Sequence, residues 1–444
     1  MAAQSNDGQT WLTKLDRIGE LSGNDKDIVF NNLGHIICTD MLLELNRELD
    51  EKKAVGIDKV SKSDYERNWD KNSQTLLLSI RKGVYKPKPA RITEIPKEDG
   101  STRPLAISCF EDKLIQSAVN KILSKIYEPM FLACSYGFRP GVSCHDALKA
   151  LMKSTNANYD GAIIEIDIRK YFNTIPHSEI IGMLSKKISD HKFLKLIEVL
   201  ITAPTMEDGT ISKNTCGCPQ GSILSPLLSN IYLHYAIDEW FESIKQTHIH
   251  GKAELVRFAD DMVFTFQYMS QAERFYEVLP KRLSKYGLEL HKDKSQILVS
   301  GSNVAQKATI NRNKLKTFDF LGFTCYWGKS RNGKYRLKYT SRKDRFSAKL
   351  KGMRIFLMNN LNAQSKNQVL LAVISGVRGW VNYHGISDNK HSIRQFLEKS
   401  KYLIYKWLNR RGGRKHITWE VVLRTVKALG FPTKWVTKSM FQYH

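Results

Sequence analysis

No apolar run in this chain approaches the roughly 20 residues needed to cross a bilayer, so no membrane span or membrane partner is expected. The first ten residues are polar and lack the basic and apolar regions of a secretory signal. Seven cysteines (Cys38, Cys109, Cys134, Cys144, Cys216, Cys218, Cys325) are an odd set with no Cys-x-x-Cys spacing, which argues against a disulfide framework and a zinc site. Reduced thiols and a cytoplasmic location are the expectation. Internal repeats and low-complexity stretches are also missing. Acidic residues are scarce in one region only. Residues 301–444 hold 30 Lys/Arg against five Asp/Glu, whereas the first 300 residues hold 39 of each sign. The last third therefore carries the whole net charge of +25. An excess of that size favours a polyanion, and nucleic acid is the first choice. A ribosome-like or membrane-surface tail would give the same arithmetic, but this region has regular apolar residues with Trp and Tyr, so it folds. At 444 residues, 42% of them apolar, the chain can form two to four packed domains.

The pattern along the chain interleaves helices and strands. Residues 11–80 read as mainly helical, with Leu42, Leu43, Leu45 and Leu49 on one periodic stretch and a turn at residues 55–58. Residues 85–107 read as a β-hairpin turning at Asp99-Gly100, with Lys97 and Arg103 flanking the turn. Helices are expected over 110–130, 144–154, 177–201, 224–245 and 271–286. Strands are expected over 160–168, 253–267 as a hairpin, 287–290, 318–323 and 335–339. Beyond 341 the pattern is helical, broken at Gly412-Gly413.

Asp260-Asp261 is the most informative pair. Apolar residues flank it on both sides (Leu255, Val256, Phe258; Met262, Val263, Phe264), which places adjacent carboxylates at the tip of two strands. Like charges there repel and resist burial unless a cation joins them. Mg²⁺, bound by one or two carboxylates plus substrate phosphates, removes that cost. A plain solvated turn is the competing reading. A further carboxylate, Asp167, ends the strand around Ile163-Ile164-Glu165-Ile166; it either caps the helix that follows or joins the pair to hold two Mg²⁺ ions for in-line phosphoryl transfer.

Seven motifs then occur in order. They are Lys97…Arg103-Pro104-Leu105; Ser135-Tyr136-Gly137-Phe138-Arg139-Pro140-Gly141; Asp167…Tyr171-Phe172; Pro219-Gln220-Gly221-Ser222…Ser225-Pro226-Leu227; Phe258-Ala259-Asp260-Asp261; Gly287-Leu288…Lys294; and Phe320-Leu321-Gly322. This series, over about residues 30–330, resembles the reverse transcriptases encoded by bacterial group II introns.

The resemblance implies an α+β right-hand polymerase fold, fingers and palm, followed by an α-helical thumb and a basic C-terminal helical region. The expected divisions are an N-terminal helical extension (1–55), fingers and palm (56–335), helical thumb or maturase region (336–405) and a basic DNA-binding region (406–444). Asp167 and Asp260 match the principal metal-binding aspartates; Asp261 and the Ile168 carbonyl help position the ions. Phe172 matches a steric gate against the ribose 2′-OH. Gln220 lines the nucleotide pocket, Lys97 and Arg103 grip the triphosphate, and Lys294 approaches the carboxylates. Leu321-Gly322 matches the primer grip. Arg139 organises the fingers or template path, and Arg378, Arg410 and Arg411 belong to nucleic-acid-binding segments. The family usually has Tyr where Phe258 stands and Thr where Cys218 stands.

These matches imply an RNA-directed DNA polymerase that extends a primer 3′-OH with two Mg²⁺. Its partners are an RNA template (group II intron RNA), a DNA primer or target, and dNTPs. A maturase role in splicing and retrohoming is implied as well, and no Cys/His-rich endonuclease domain is expected. Two alternatives stay open: a related enzyme recruited to phage defence or CRISPR adaptation, and an RNA-binding splicing factor with incidental polymerase activity. The sequence leaves priming mode and oligomeric state open.

Overall fold

The computed structural model describes residues 10–96, 102–156, 160–410 and 416–440. They form an α+β structure in two compact units: Met1–Ser143 with Ile163–Ile297, and Cys144–Ala162 with Leu298–His444.

The first unit is built on helix Phe110–Tyr127, whose Leu114, Ile115, Ala118, Val119, Ile122 and Ile126 are all fully buried. That three-and-four spacing makes a wide apolar stripe. Helices Trp11–Asn24 and Thr39–Glu48 pack against it, the second through Leu42 and Leu45. The strands up to residue 300 are β1 (Ala90–Pro96), β2 (Thr102–Ile107), β3 (Gly161–Ile166), β4 (Thr205–Glu207), β5 (Thr210–Ser212), β6 (Ala253–Phe258), β7 (Asp261–Phe266) and β8 (Gln296–Ser300); all belong to this unit except that β3 begins and β8 ends among residues of the second.

One sheet has the order β2-β1-β4-β5. Its β1–β2 pair is antiparallel, Pro96 opposite Thr102, as the expected hairpin requires; Lys97 and Asp99-Gly100 themselves lie outside the described residues. Strands β4 and β5 form a hairpin that the sequence reading passed over. Its turn is Asp208-Gly209, both at positive φ (47° and 82°), the Asp-Gly signature of a two-residue turn.

The other sheet has the order β6-β7-β3-β8. Strand β3 is buried along nearly its whole length rather than on alternate residues, as suits a central strand covered on both faces. The expected strand at 287–290 is reduced to one antiparallel bridge, Leu290 with Ile168. The expected helix 177–201 is two, His177–Ser185 and His191–Ile201. Asp190 breaks it by accepting from the Phe193 amide at 3.0 Å as the cap of the second. The expected helix 224–245 is interrupted by a π-helical turn, His234–Asp238, between Ser225–Leu233 and Glu239–Thr247. Such widened turns concentrate where one side chain must be re-aimed.

The second unit contains the antiparallel strands β9 (Phe318–Phe320), β10 (Phe323–Lys329) and β11 (Tyr335–Ser341), with β10 central. Helix Cys144–Asn156 packs against β11, and the Tyr339 hydroxyl donates to the Leu148 carbonyl at 2.7 Å. Four helices follow: Lys343–Asn360, Lys366–His384, Lys390–Asn409 and Trp419–Ala428. Their shared core includes Val369, Ile374, Trp380, Phe396, Ile404 and Trp407. Trp380 stacks on Phe396 at 4.7 Å, so Trp380 and Trp407 are core residues before anything else. The break at Gly412-Gly413 lies outside the described residues. None of the seven cysteines is in a disulfide. No helix among the described residues is long and apolar enough to cross a membrane.

Candidate active site

The turn bearing Asp260 is held from beneath by Arg257, which is fully buried in β6. A guanidinium has five N–H donors, and here each finds an acceptor. Nε and one Nη2 hydrogen go to the two Asp238 oxygens, at 2.8 and 2.6 Å. The second Nη2 hydrogen goes to Ser135 Oγ at 2.8 Å. Nη1 serves Asn230 Oδ1 at 2.8 Å and the Ala259 carbonyl at 3.3 Å. Burial disfavours this charge, and the Asp238 carboxylate outweighs it, so the guanidinium is held above its ordinary pKa. Asp238 reaches it from the π-helical turn. The sequence reading assigned no role to Arg257, Asp238, Asn230 or Ser135. The available signal was a charge inside an apolar strand, which demands a buried partner.

The Ser135–Gly141 motif docks onto the same turn. Its backbone pairs with β6: the Arg257 amide donates to Cys134 O and the Tyr136 amide to Arg257 O, each at 2.8 Å. Asn230 Nδ2 donates to Gly137 O at 2.7 Å. A Cβ on Gly137 would lie 2.3 Å from the Ala259 amide nitrogen, so glycine is required by close approach. Ala259 itself sits at φ 55°, a left-handed conformation costing a non-glycine residue about 1–2 kcal/mol. The bond from Arg257 to its carbonyl helps hold that strain.

Asp260 is half-buried and Asp261 exposed at the start of β7. Burial raises the Asp260 pKa most, and the Asp167 charge raises it further; its own backbone amide, Arg103 and Arg257 pull the other way. Asp167 follows β3, with its amide bonded to Ser295 Oγ at 3.1 Å and its carbonyl accepting from the His291 amide at 2.9 Å. It does not cap the helix Tyr171–Thr174, whose cap position is Lys170. Its carboxylate faces Lys294 instead, Nζ to Oδ2 3.7 Å. Both side chains are exposed, so this pair is worth at most about 1 kcal/mol.

Among the described residues, no three His, Cys, Asp or Glu side chains gather closely enough to enclose a metal ion. A magnesium ion needs only one or two carboxylates when substrate phosphate completes its shell. The Asp167–Asp260 pair fits that requirement: two carboxylates near enough for one charge to oppose ionisation of the other, with the Ile168 backbone beside them.

The next residues form one wall. Phe172, half-buried, makes an edge contact with Tyr171 at 5.2 Å. Its carbonyl accepts from the Cys218 amide at 2.7 Å. The Pro219-Gln220-Gly221 loop lies on β2, where the Ala106 amide donates to Gln220 O at 2.6 Å and a Cβ on Gly221 would meet Ala106 O at 2.6 Å. The side-chain Oε1 of Gln220 is buried without a hydrogen-bond partner, an acceptor awaiting a donor. Arg103 is exposed on β2 and senses Asp260 electrostatically. Cys218 is buried and its thiol pushed up to about 12 by burial, so it is a neutral packing residue. Phe258 has its ring 6.5 Å from that of Phe138.

Arg139 spends its guanidinium internally, on Glu128 (2.9 Å) and the Leu132 and Ser135 carbonyls (3.2 and 2.8 Å), and so braces the loop that carries Gly137. The remaining candidates belong to the second unit. Leu321 and Gly322, at φ 49° and 77°, make the two-residue turn between β9 and β10, and the Tyr383 hydroxyl donates to Leu321 O at 2.9 Å. Arg378 donates to Gly430 O at 2.9 Å, beyond the last turn of helix Trp419–Ala428. Arg410 lies 4.6 Å over the Trp407 ring. Arg411, like Lys97, lies outside the described residues.

A family model described as reverse transcriptase (RNA-dependent DNA polymerase) matches residues 95–325. A group II intron-encoded protein of Lactococcus lactis, LtrA, is 37% identical over 224 residues, covering 50% of this chain and 37% of its own. An uncharacterized 91 kDa protein in the cob intron of Schizosaccharomyces pombe is 40% identical over 172 residues, 38% of this chain and 21% of its own. Protein YkfC of Escherichia coli is 33% identical over 206 residues, 46% and 53% of the two chains. The matched region thus spans from about a fifth to about half of these relatives' lengths.

Two outcomes are expected. Arg257→Lys supplies one point charge where five donors are used, leaving Asn230, Ser135 and Ala259 O unserved. Urea denaturation should show a loss of about 3–5 kcal/mol. Asp260 binds its proton more tightly folded than unfolded, so native stability falls as pH rises from its ordinary value of 3.8 through the raised one. Asp260→Asn should therefore melt higher than the parent at neutral pH in chelator. The two curves should converge on acidification; equal melting at neutral pH would contradict the raised value.

Proposed function

The chain belongs to the reverse transcriptase family of RNA-dependent DNA polymerases, and from that membership we propose that it copies RNA into DNA with Asp167, Asp260 and Asp261 as its catalytic carboxylates. The observation that carries this reading is the placement of Asp260, half-buried near the Asp167 charge on a turn whose Ala259 carbonyl accepts from Arg257. Family members use divalent metals, and two Mg²⁺ ions held by Asp167 and Asp260, with the Ile168 carbonyl and Asp261 assisting, suit this donor set. When bound, such ions stabilise the attacking and leaving oxygens of an in-line phosphoryl transfer.

The chain's own residues supply the rest. Arg103 and Lys97 provide a forked donor and a point charge for the triphosphate of an incoming dNTP. Gln220 offers its unpartnered carbonyl oxygen to the nucleotide, on a loop whose backbone β2 fixes. Phe172 presents an aromatic edge where a 2′-OH would sit and excludes it by volume. Lys294 balances the Asp167 charge before substrate arrives and can turn to phosphate afterwards. The Leu321-Gly322 turn, pinned by Tyr383, offers backbone to a primer strand.

The relatives named as intron-encoded support a finer reading, that the bound RNA is a group II intron and that the protein assists its splicing and retrohoming as a maturase. The basic last third suits the grip on RNA and on a DNA target, with Arg378, Arg410 and Arg411 among its cations. Sequencing the RNA that copurifies with the protein tests this directly: recovery of an unrelated RNA population would remove the intron role.

Asp260→Ala should abolish cDNA synthesis on a primed RNA template while RNA binding stays within twofold. Undiminished synthesis would sink the catalytic assignment. Phe172→Val should raise ribonucleotide incorporation at least tenfold relative to dNTP, and unchanged sugar discrimination would remove the gate.

A further inference from the structure

In the second unit, helix Ser302–Ile310 and the segment running on to Thr317 lie against the β10–β11 pair and leave an open cleft of about 590 Å³. Arg312, Asn313 and Lys314 line one side; Thr324, Tyr326 and Trp327 line the other. Thr324 stands opposite Thr340 and Tyr326 opposite Lys338, so these four residues share one face of the sheet. Tyr326 and Trp327 are both half-buried, and alternation along the strand puts the Trp327 ring on the face opposite Tyr326.

The charge around the cleft has one sign. Residues 301–340 carry nine Lys/Arg and one acid, Asp319, and no carboxylate lines the cleft. Asp319 is already engaged, by the Thr324 hydroxyl at 2.7 Å and by Arg342 at 3.4 Å. A ligand here must bring negative charge to Arg312 and Lys314, a flat apolar face to the Tyr326 ring, and polar edges to the threonine hydroxyls and the Asn313 amide. An unpaired nucleotide within a strand meets all three demands. The volume suits one base with its sugar, falling within the roughly 300–1,000 Å³ of ordinary ligand clefts. An open cleft also lets the strand continue on either side.

We propose that this cleft is a subsite for unpaired RNA, seating one base against Tyr326 and the neighbouring phosphates on Arg312 and Lys314. The assignment rests on the reading that the protein binds RNA. It adds a specific station for a single-stranded segment, formed entirely within the second unit and separate from the carboxylate site in the first.

The test uses the full chain and a single-stranded 20-nucleotide RNA containing 4-thiouridine, crosslinked by near-ultraviolet light and mapped by mass spectrometry. Crosslinks at Tyr326 are expected. In parallel, Arg312→Ala with Lys314→Ala, both on exposed positions, should weaken binding of this RNA. Its salt slope should fall by about 1.4, the value for two phosphate contacts on a single strand. Crosslinks confined to other residues, with an unchanged slope in the double variant, would overturn the cleft while leaving RNA binding intact. Neither crosslinks nor salt-dependent binding anywhere would instead overturn the RNA-binding reading on which it stands. Stronger crosslinking at the same residue by a matched 4-thiothymidine DNA would assign the cleft to DNA and reject RNA.

Discussion

The Arg257 guanidinium is the interaction on which the rest of this site depends. It ties together four points on the chain: the loop at Ser135, 122 residues away, the helix at Asn230, the π-helical turn at Asp238, and the Ala259 carbonyl at the tip of its own β6–β7 hairpin. A buried ion pair is weak evidence for stability in itself, because desolvation offsets most of its attraction. Its value is geometric. Five donors in a rigid fork admit one arrangement of acceptors, and that arrangement sets where the Asp260 carboxylate stands. The widened helical turn before Glu239 has the same logic: it aims Asp238 inward at the cost of regular hydrogen bonding.

Several contacts around the site are backbone against backbone, and glycine marks them. Gly137 against Ala259 and Gly221 against Ala106 both leave less room than a Cβ needs. Side chains at such contacts would push the loop bearing Gln220, or the motif bearing Arg139, away from the carboxylates. The ordered motifs of the sequence are therefore partly packing constraints. Ser135 and Gly137 serve the hairpin from below, while the Asp167 charge opposes Asp260 at its tip.

Much of the site was legible because the chemistry is written in short strings. Asp260-Asp261 between apolar runs marks the hairpin, and seven ordered motifs from Lys97 to Gly322 carry the resemblance to the family. What stayed hidden was long-range. Nothing local in Asp238 says that it points at Arg257, because the residue looks like one more polar position on a helix. Asp208-Gly209 was readable and was passed over, its flanking strands being only three residues each. The aromatics of the basic region are packing residues, as their place among regular apolar residues suggests. Trp380 and Trp407 fill a core, and the Arg378 guanidinium is engaged by backbone carbonyls near a helix end.

The second unit is assembled from two stretches of chain that translation separates. His145, on its early helix, donates through Nε2 to the Tyr383 carbonyl and meets the Lys438 ammonium through Nδ1, partners 238 and 293 residues downstream. That helix leaves the ribosome long before either partner exists. Its buried face, Leu148 and Leu151 among it, must wait exposed or be sheltered until the Tyr335–Ser341 strand that covers it has been made. Contacts of such separation slow folding, and they leave an early helix dependent on partners made much later.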